Sequence, residues 1–166
     1  MKIEPLVPPT PTIIWKNGKV RLIDQTKLPI EEKFFETSDY RVLCDAILKL
    51  AIRGAPAIGV AGAYASVLAA NEIDTDNLDE FKDDFINTAE IIRETRPTAV
   101  NLKWAVNKMS RATNEHKGTV KQLKCDLLNL AHSIRKDDLS RCHNLCLHGA
   151  EVIPNDGEVM TICNTG

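Results

Sequence analysis

Residues 56 to 70, "PAIGVAGAYASVLAA", restrict this chain more than any other stretch. Pro56 suits a first helical turn, and the fourteen residues after it are apolar or small around the whole helical circumference. Such a helix has no face to show to water. It is also too short to cross a bilayer, which takes about 20 residues, so other protein must surround it. Gly59 and Gly62 each cost roughly 1 kcal/mol of helix propensity against alanine. A neighbouring element is therefore expected to approach this backbone closely.

The surrounding segments supply that cover. Val42, Leu43, Ala46, Ile47 and Leu50 mark one face of a helix from about Ser38, a plausible N-cap, to Ile52. Leu78, Phe81, Phe85, Ala89 and Ile92 define a helix with an acidic outer face, which Pro97 must end. Thr98 is placed to cap the next, carrying Ala99, Leu102, Val106 and Met109 inward. Val120, Leu123, Leu127, Leu130 and Ile134 repeat the period in a fifth helix. Asp137 or Asp138 is expected to restart a sixth, with Leu139, Cys142, Cys146 and Gly149 on one face.

Four of the eight prolines fall within the first eleven residues, so the chain begins as an extended arm. "TIIWKNGKVRLID" then reads as a hairpin with strands at about 12–16 and 19–24. Asn17-Gly18 suits a type I′ turn, which needs positive φ at both central residues. At the far end, "PNDG" makes a turn into the apolar run Glu158 to Cys163, which reads as a buried strand of the kind that starts a parallel sheet. The expected fold is thus mainly α. A proline-rich arm and β-hairpin occupy residues 1–35, a helical domain residues 36–153, and the first strand of a Rossmann-like parallel α/β domain residues 154–166, the rest of that domain lying outside this sequence.

The charge balance argues against several partners. A net charge of −2 gives no reason to expect nucleic acid or an anionic membrane. Charge is uneven, with nine acidic and two basic residues over 71–95, then seven basic and one acidic over 96–124. Two solvated helix faces of opposite sign account for this. Five cysteines without scaffold-like spacing fit a reducing compartment, and the first residues carry no secretory core, so a cytoplasmic location is expected.

Three places are able to carry chemistry. In "IRGAPAIG", the amides of Gly54 and Ala55 precede a helix start, where unpaired N–H groups attract anions, and Arg53 adds charge. Ordinary turn chemistry explains the same glycine. In "TRPTAVN", Arg96 sits in a proline-bounded junction, and its guanidinium matches phosphate in a bidentate way. Spacing alone does not bring these two together. Cys163 closes the terminal strand, where α/β proteins place ligands; a thiol there acts in catalysis or only lines a core. "CHNLCLH" carries two metal-ligand residue types, but Cys142 and Cys146 share a helix face with Leu139 and no C-x₂-C pair exists, so no metal site is assigned. No serine occupies a nucleophile elbow.

Read together, "WKNGKVRLIDQTKLP", "IRGAPAIGVAGAYA", "TRPTAVNLKWAV" and "TICNTG" resemble, in order, the N-terminal half of the methylthioribose-1-phosphate isomerase family, from Trp15 to Gly166. That group is related to ribose-1,5-bisphosphate isomerase and to regulatory subunits of the translation initiation exchange factor. Pro56 and "DQTKLP" favour the methylthioribose branch. The resemblance implies aldose–ketose isomerisation in methionine salvage, without metal or organic cofactor. It implies that Arg53, Gly54, Ala55 and Arg96 contact the phosphorylated sugar and that Cys163 is catalytic. The general acid–base aspartate of the family belongs to a C-terminal half that this sequence does not include. The 166 residues are therefore expected to be inactive alone and to need that half, as a second chain or as the continuation of a cleaved parent. The complete protein is expected to be a homodimer. A non-catalytic regulatory subunit and a bisphosphate isomerase are the alternatives.

Overall fold

The computed structural model describes residues 11–154, 156–160 and 162. Among them the protein is mainly helical with a small antiparallel sheet. Strands β1 (Ile13–Lys16), β2 (Lys19–Ile23) and β3 (Phe34–Thr37) pair in that order, followed by α1 (Tyr40–Leu48), α2 (Ala55–Glu72), α3 (Leu78–Glu94), α4 (Val100–Glu115) and α5 (Val120–Val152).

The hairpin forms where the sequence places it. Asn17 and Gly18 have φ of 50° and 77°, and Trp15 pairs with Val20 across the turn. The sheet has a third strand that the sequence reading passes over as a connector. "FFET" pairs with β2, setting Phe35 opposite Leu22 and Thr37 opposite Val20. Ile13, Val20 and Leu22 are buried on the inner face, while Arg21 lies over the Phe34 ring at 4.3 Å outside. Only four residues long, β3 is too short for its alternation to stand out from the flanking charges.

Helix α2 is the centre of the molecule. Thirteen consecutive residues, Ile58 to Ala70, are buried, and α1, α3, α4, α5 and β1 all pack on it. Both glycines face α4. A Cβ on Gly62 would lie 2.5 Å from Leu102 Cδ1, and one on Gly59 would lie 3.1 Å from the Asn101 carbonyl oxygen. The expected close approach is therefore made by α4, at its first turns. Tyr64, on the opposite side, packs against Trp15 with ring centroids 5.7 Å apart and planes tilted by 30°, and shares a 3.1 Å hydrogen bond with His132 Nδ1 of α5. Its burial raises the phenol pKa above the ordinary value.

Two expectations are corrected. Helix α5 runs unbroken for 33 residues, so Asp137 and Asp138 do not start a sixth. Arg141 Nε donates to Asp137 at 2.8 Å across one helical turn. The apolar pattern shifts by one position after Ile134, and that is a change of face, not a break: the stripe through Leu127, Ala131 and Ile134 is buried, while Leu139, Cys142, Cys146 and Val152 are exposed. The strand expected from Glu158 to Cys163 is also not formed among the described residues. Glu158, Val159, Met160 and Ile162 carry no ladder, and Met160 and Ile162 are 94% and 95% exposed. A strand without a neighbour leaves its backbone groups unpaired and has no reason to persist. Cys163 to Gly166 lie outside the described residues. The preceding turn does form, Gly157 N–H donating to the Pro154 carbonyl at 3.2 Å. No helix among the described residues is long and apolar enough to cross a membrane.

The α2–α4 contact gives a stability prediction. Gly62→Val adds three carbons against buried Leu102 and Val106 without the helix-propensity gain of alanine. The expected loss is about 2 kcal/mol, read as a lower urea midpoint at unchanged slope. A midpoint equal to the parent's would show that the helices are not this close.

Candidate anion-binding cleft

Arg53, Gly54, Ala55 and Arg96 line one cleft of about 450 Å³, together with Leu50, Ile58, Thr98, Ala99, Val100 and Asn101. The two stretches that the sequence leaves separate are thus neighbours. Their meeting follows from the packing of α2 on α4, since each stretch immediately precedes one of those helices.

The approach to α2 is tightly folded. Helix α1 ends with Ala51 N–H donating to the Ala46 carbonyl at 2.9 Å and Leu50 N–H to Ile47 at 3.3 Å, a Schellman closure. Leu50 occupies the left-handed position usually given to glycine, at φ 61°. That conformation costs a β-carbon-bearing residue roughly 1–2 kcal/mol. It turns the chain back so that Arg53 follows within three residues. Gln25, from the "DQTKLP" segment, holds this loop from outside: its N–H donates to the Ala51 carbonyl at 2.9 Å and its side-chain amide to the Arg53 carbonyl at 3.3 Å. Asp24, whose carboxylate accepts from the Thr26 hydroxyl at 2.6 Å, fixes the turn carrying Gln25; that hydrogen bond holds Asp24 below the ordinary carboxylate pKa. The sequence reading did not single out Gln25. It enters there only as part of "DQTKLP", with no role of its own.

Gly54, at φ 90° and ψ 124°, is the N-cap of α2, and that conformation is essentially restricted to glycine. Arg96 lies between α3 and α4, where Ala99 N–H donates to its carbonyl at 2.9 Å. The N-cap of α4 is Ala99, not the expected Thr98.

The capping pattern sets this cleft apart. Helices α1, α3 and α5 are capped by the side chains of Asp39, Asn77 and Thr119, the last in a reciprocal box with Gln122. Helices α2 and α4 begin at Gly54 and Ala99, which have no side chain able to accept from the first-turn amides. Two sets of orphan N–H donors, each with the positive end of a helix behind it, therefore open on the same cleft. Among the described residues the guanidinium groups of Arg53 and Arg96 meet no carboxylate within ion-pair distance, and Arg96 is half-buried. None of the ten lining residues is acidic. Donors and cations in this arrangement are complementary to an anion with several oxygens.

Other hollows lack this combination. A space of about 690 Å³ between α1 and α3 is lined by Cys44, Leu48, Ile91, Glu90 and Glu94, with burial raising the Cys44 thiol pKa. Another of about 540 Å³, between α2, α4 and the outer part of α5, includes Arg141, but that cation is already paired with Asp137. No metal-ligand cluster occurs among the described residues. Cys163 lies outside them, so its place relative to the cleft is not described. What the cleft offers is binding. Among the described residues it contains no carboxylate, histidine or thiol able to move a proton.

The Initiation factor 2 subunit family matches residues 51–166, more than half of the chain. The protein belongs to that family. Within it, the chain is 42% identical over 157 residues to the methylthioribose-1-phosphate isomerase of Crocosphaera subtropica, covering 93% of this chain and 46% of that one. It superposes on the crystal structure of 5-methylthioribose 1-phosphate isomerase from Pyrococcus horikoshii with a TM-score of 0.82 at 35% identity, covering 86% of this chain and 40% of the other. It is also similar to the translation initiation factor eIF-2B subunit delta from A. fulgidus, with a TM-score of 0.72 and 39% identity over 77% of this chain and 37% of that one. The chain thus spans less than half the length of the relatives it matches. The family match begins at Ala51, so it takes in both arginine stretches and leaves the sheet outside.

The uncapped helix start can be tested directly. Ala99→Asp supplies α4 with a capping carboxylate, and Ala99 already has the extended backbone a cap requires. The variant is expected to gain about 1 kcal/mol of stability. It should lose inorganic phosphate binding at least tenfold in calorimetry, because the same amides are then occupied. Asn77→Ala, at the capped α3, should lose about 1 kcal/mol and leave phosphate binding unchanged. Parallel behaviour of the two variants toward phosphate would exclude the cleft as an anion site.

Proposed function

We propose that this chain carries the phosphate-binding part of an S-methyl-5-thioribose-1-phosphate isomerase. The observation that carries the proposal is the convergence of two uncapped helix starts and two unpaired arginines on one acid-free cleft. The match to isomerases over 93% of the chain supports the same assignment. A phosphate on the anomeric oxygen blocks ordinary ring opening of the sugar. The enzyme must therefore hold that phosphate, help the furanose open, and transfer hydrogen between C1 and C2. Arg53, the amides of Gly54 and Ala55, and Arg96 serve the first task by neutralising and orienting the phosphate. Fixed donors of this kind also stabilise negative charge developing at the neighbouring oxygen.

Proton transfer is assigned to groups other than the ten lining residues: Cys163 and an acid–base aspartate carried by further polypeptide. The length of the relatives, of which this chain spans 46% and 45%, supports that division. The exposed apolar residues of the outer α5, Leu145 and Val152 among them, are suited to be covered by that polypeptide. A regulatory, non-catalytic subunit is the second assignment, favoured by the likeness to the eIF-2B subunit. Turnover separates the two.

In the complete protein, Arg96→Ala is expected to raise KM for 5-methylthioribose 1-phosphate about 10- to 100-fold, the worth of charge-assisted hydrogen bonds to phosphate, with a smaller effect on kcat. Cys163→Ser should lower kcat by about 10²-fold or more without changing the thermal midpoint. Steady-state assays with this substrate and with ribose 1,5-bisphosphate decide the branch. Turnover of the bisphosphate alone would overturn the proposal, and turnover of neither would favour the regulatory assignment.

A further inference from the structure

One polar side chain of the cleft is not used by the phosphate assignment. Asn101 stands in the first turn of α4, half-buried, and lines both the anion cleft and the adjoining hollow between α2, α4 and α5. Asparagine in a helical first turn ordinarily serves its own backbone. Here the N-cap is Ala99, two residues earlier, and the Asn101 amide makes no hydrogen bond among the described residues. The Asn101 backbone and Cβ are held in place from behind. Gly59 of α2 lies against it so closely that a Cβ there would stand 3.1 Å from the Asn101 carbonyl oxygen and 3.3 Å from the Asn101 Cβ. The buried helix thus forgoes about 1 kcal/mol of helix propensity at the position opposite Asn101.

We propose that Asn101 is a substrate-binding residue whose side-chain amide holds a sugar hydroxyl next to the bound phosphate, with Gly59 setting its position. The proposal rests on the assignment of the cleft to a sugar phosphate. A phosphate dianion only accepts hydrogen bonds, and the cleft already supplies donors from two helix starts and two arginines. A carboxamide brings a donor and an acceptor together. Its acceptor is useless to phosphate and matches a hydroxyl. Asn101 is then what distinguishes a phosphorylated sugar from phosphate itself.

The test compares two ligands in the complete enzyme: KM for 5-methylthioribose 1-phosphate and the competitive inhibition constant of inorganic phosphate. Asn101→Ala is expected to raise KM about tenfold, the loss of one hydrogen-bonding group, while the phosphate constant stays within about twofold. Gly59→Ala keeps the amide but displaces it, and should shift KM in the same direction by less. Arg96→Ala should raise both constants together. If Asn101→Ala changes neither constant, or both equally, while Arg96→Ala behaves as stated, Asn101 has no role in hydroxyl recognition and the cleft assignment survives. If Arg96→Ala leaves the phosphate constant unchanged, the cleft assignment fails and this proposal falls with it.

Discussion

The contact between α2 and α4 at Gly59 and Gly62 is the constraint on which the rest of the molecule depends. A helix buried over thirteen consecutive residues can be approached from any side, but only a glycine-lined side admits another helix so closely. Because the two glycines lie in the first two turns of α2, and their counterparts Asn101, Leu102 and Val106 in the first turns of α4, the close approach aligns the two helix starts. Packing in the interior therefore fixes the geometry at the surface. Arg53 and Arg96 need no contact with each other to share a cleft, because each precedes a helix whose position is set by this contact.

The far ends of the same helices are closed differently. Lys124 of α5 donates to the carbonyl of Ile73, the C-cap of α2, at 2.7 Å. Lys82 of α3 donates to the carbonyls of Asn114 and His116 at the end of α4, at 3.2 and 2.9 Å. Both helices that open without a cap on the cleft thus receive a cation at their negative end. Their positive ends lack a built-in counter-charge and are complementary to an anion from outside. Helices with a side-chain cap, such as α3 and α5, have no such asymmetry left to offer a ligand.

Much of this was legible in the sequence, for identifiable reasons. The central helix was plain because no charged residue interrupts it from Pro56 to Ala70, and the hairpin because Asn-Gly has few other uses. Arg53 and Arg96 stood out as anion contacts one at a time. Their convergence was not legible, because it depends on which face of α2 meets α4, and a helix apolar on all sides does not indicate its faces. Strand β3 was missed because four residues beside charged neighbours carry little periodicity. The sixth helix was invented from a shifted stripe: α5 contains no proline, and its first glycine is Gly149, so nothing breaks it where the stripe moves. The terminal strand was inferred from apolar residues alone, which give no information on whether a partner strand is present. Gln25 holds the loop before α2 through its backbone N–H and its side-chain amide, and a lone amide in sequence has no pattern to detect.

None of the ten described residues that line the cleft is a carboxylate, and that composition has a physical reason. An aspartate among Arg53, Arg96 and two helix starts would be held ionised well below its usual range, since every neighbour favours its charged form. It would be a poor base, and it would occupy the donors that an anion needs. A group meant to exchange protons near neutral pH must instead sit apart from these charges, on an element that approaches the ligand from another direction. Binding and proton transfer are then best carried by separate layers of structure, the first built from rigid helix starts. The described residues of the cleft have the composition expected of the binding layer: helix-start donors fixed by packing, two arginines beside them, and no carboxylate, histidine or thiol.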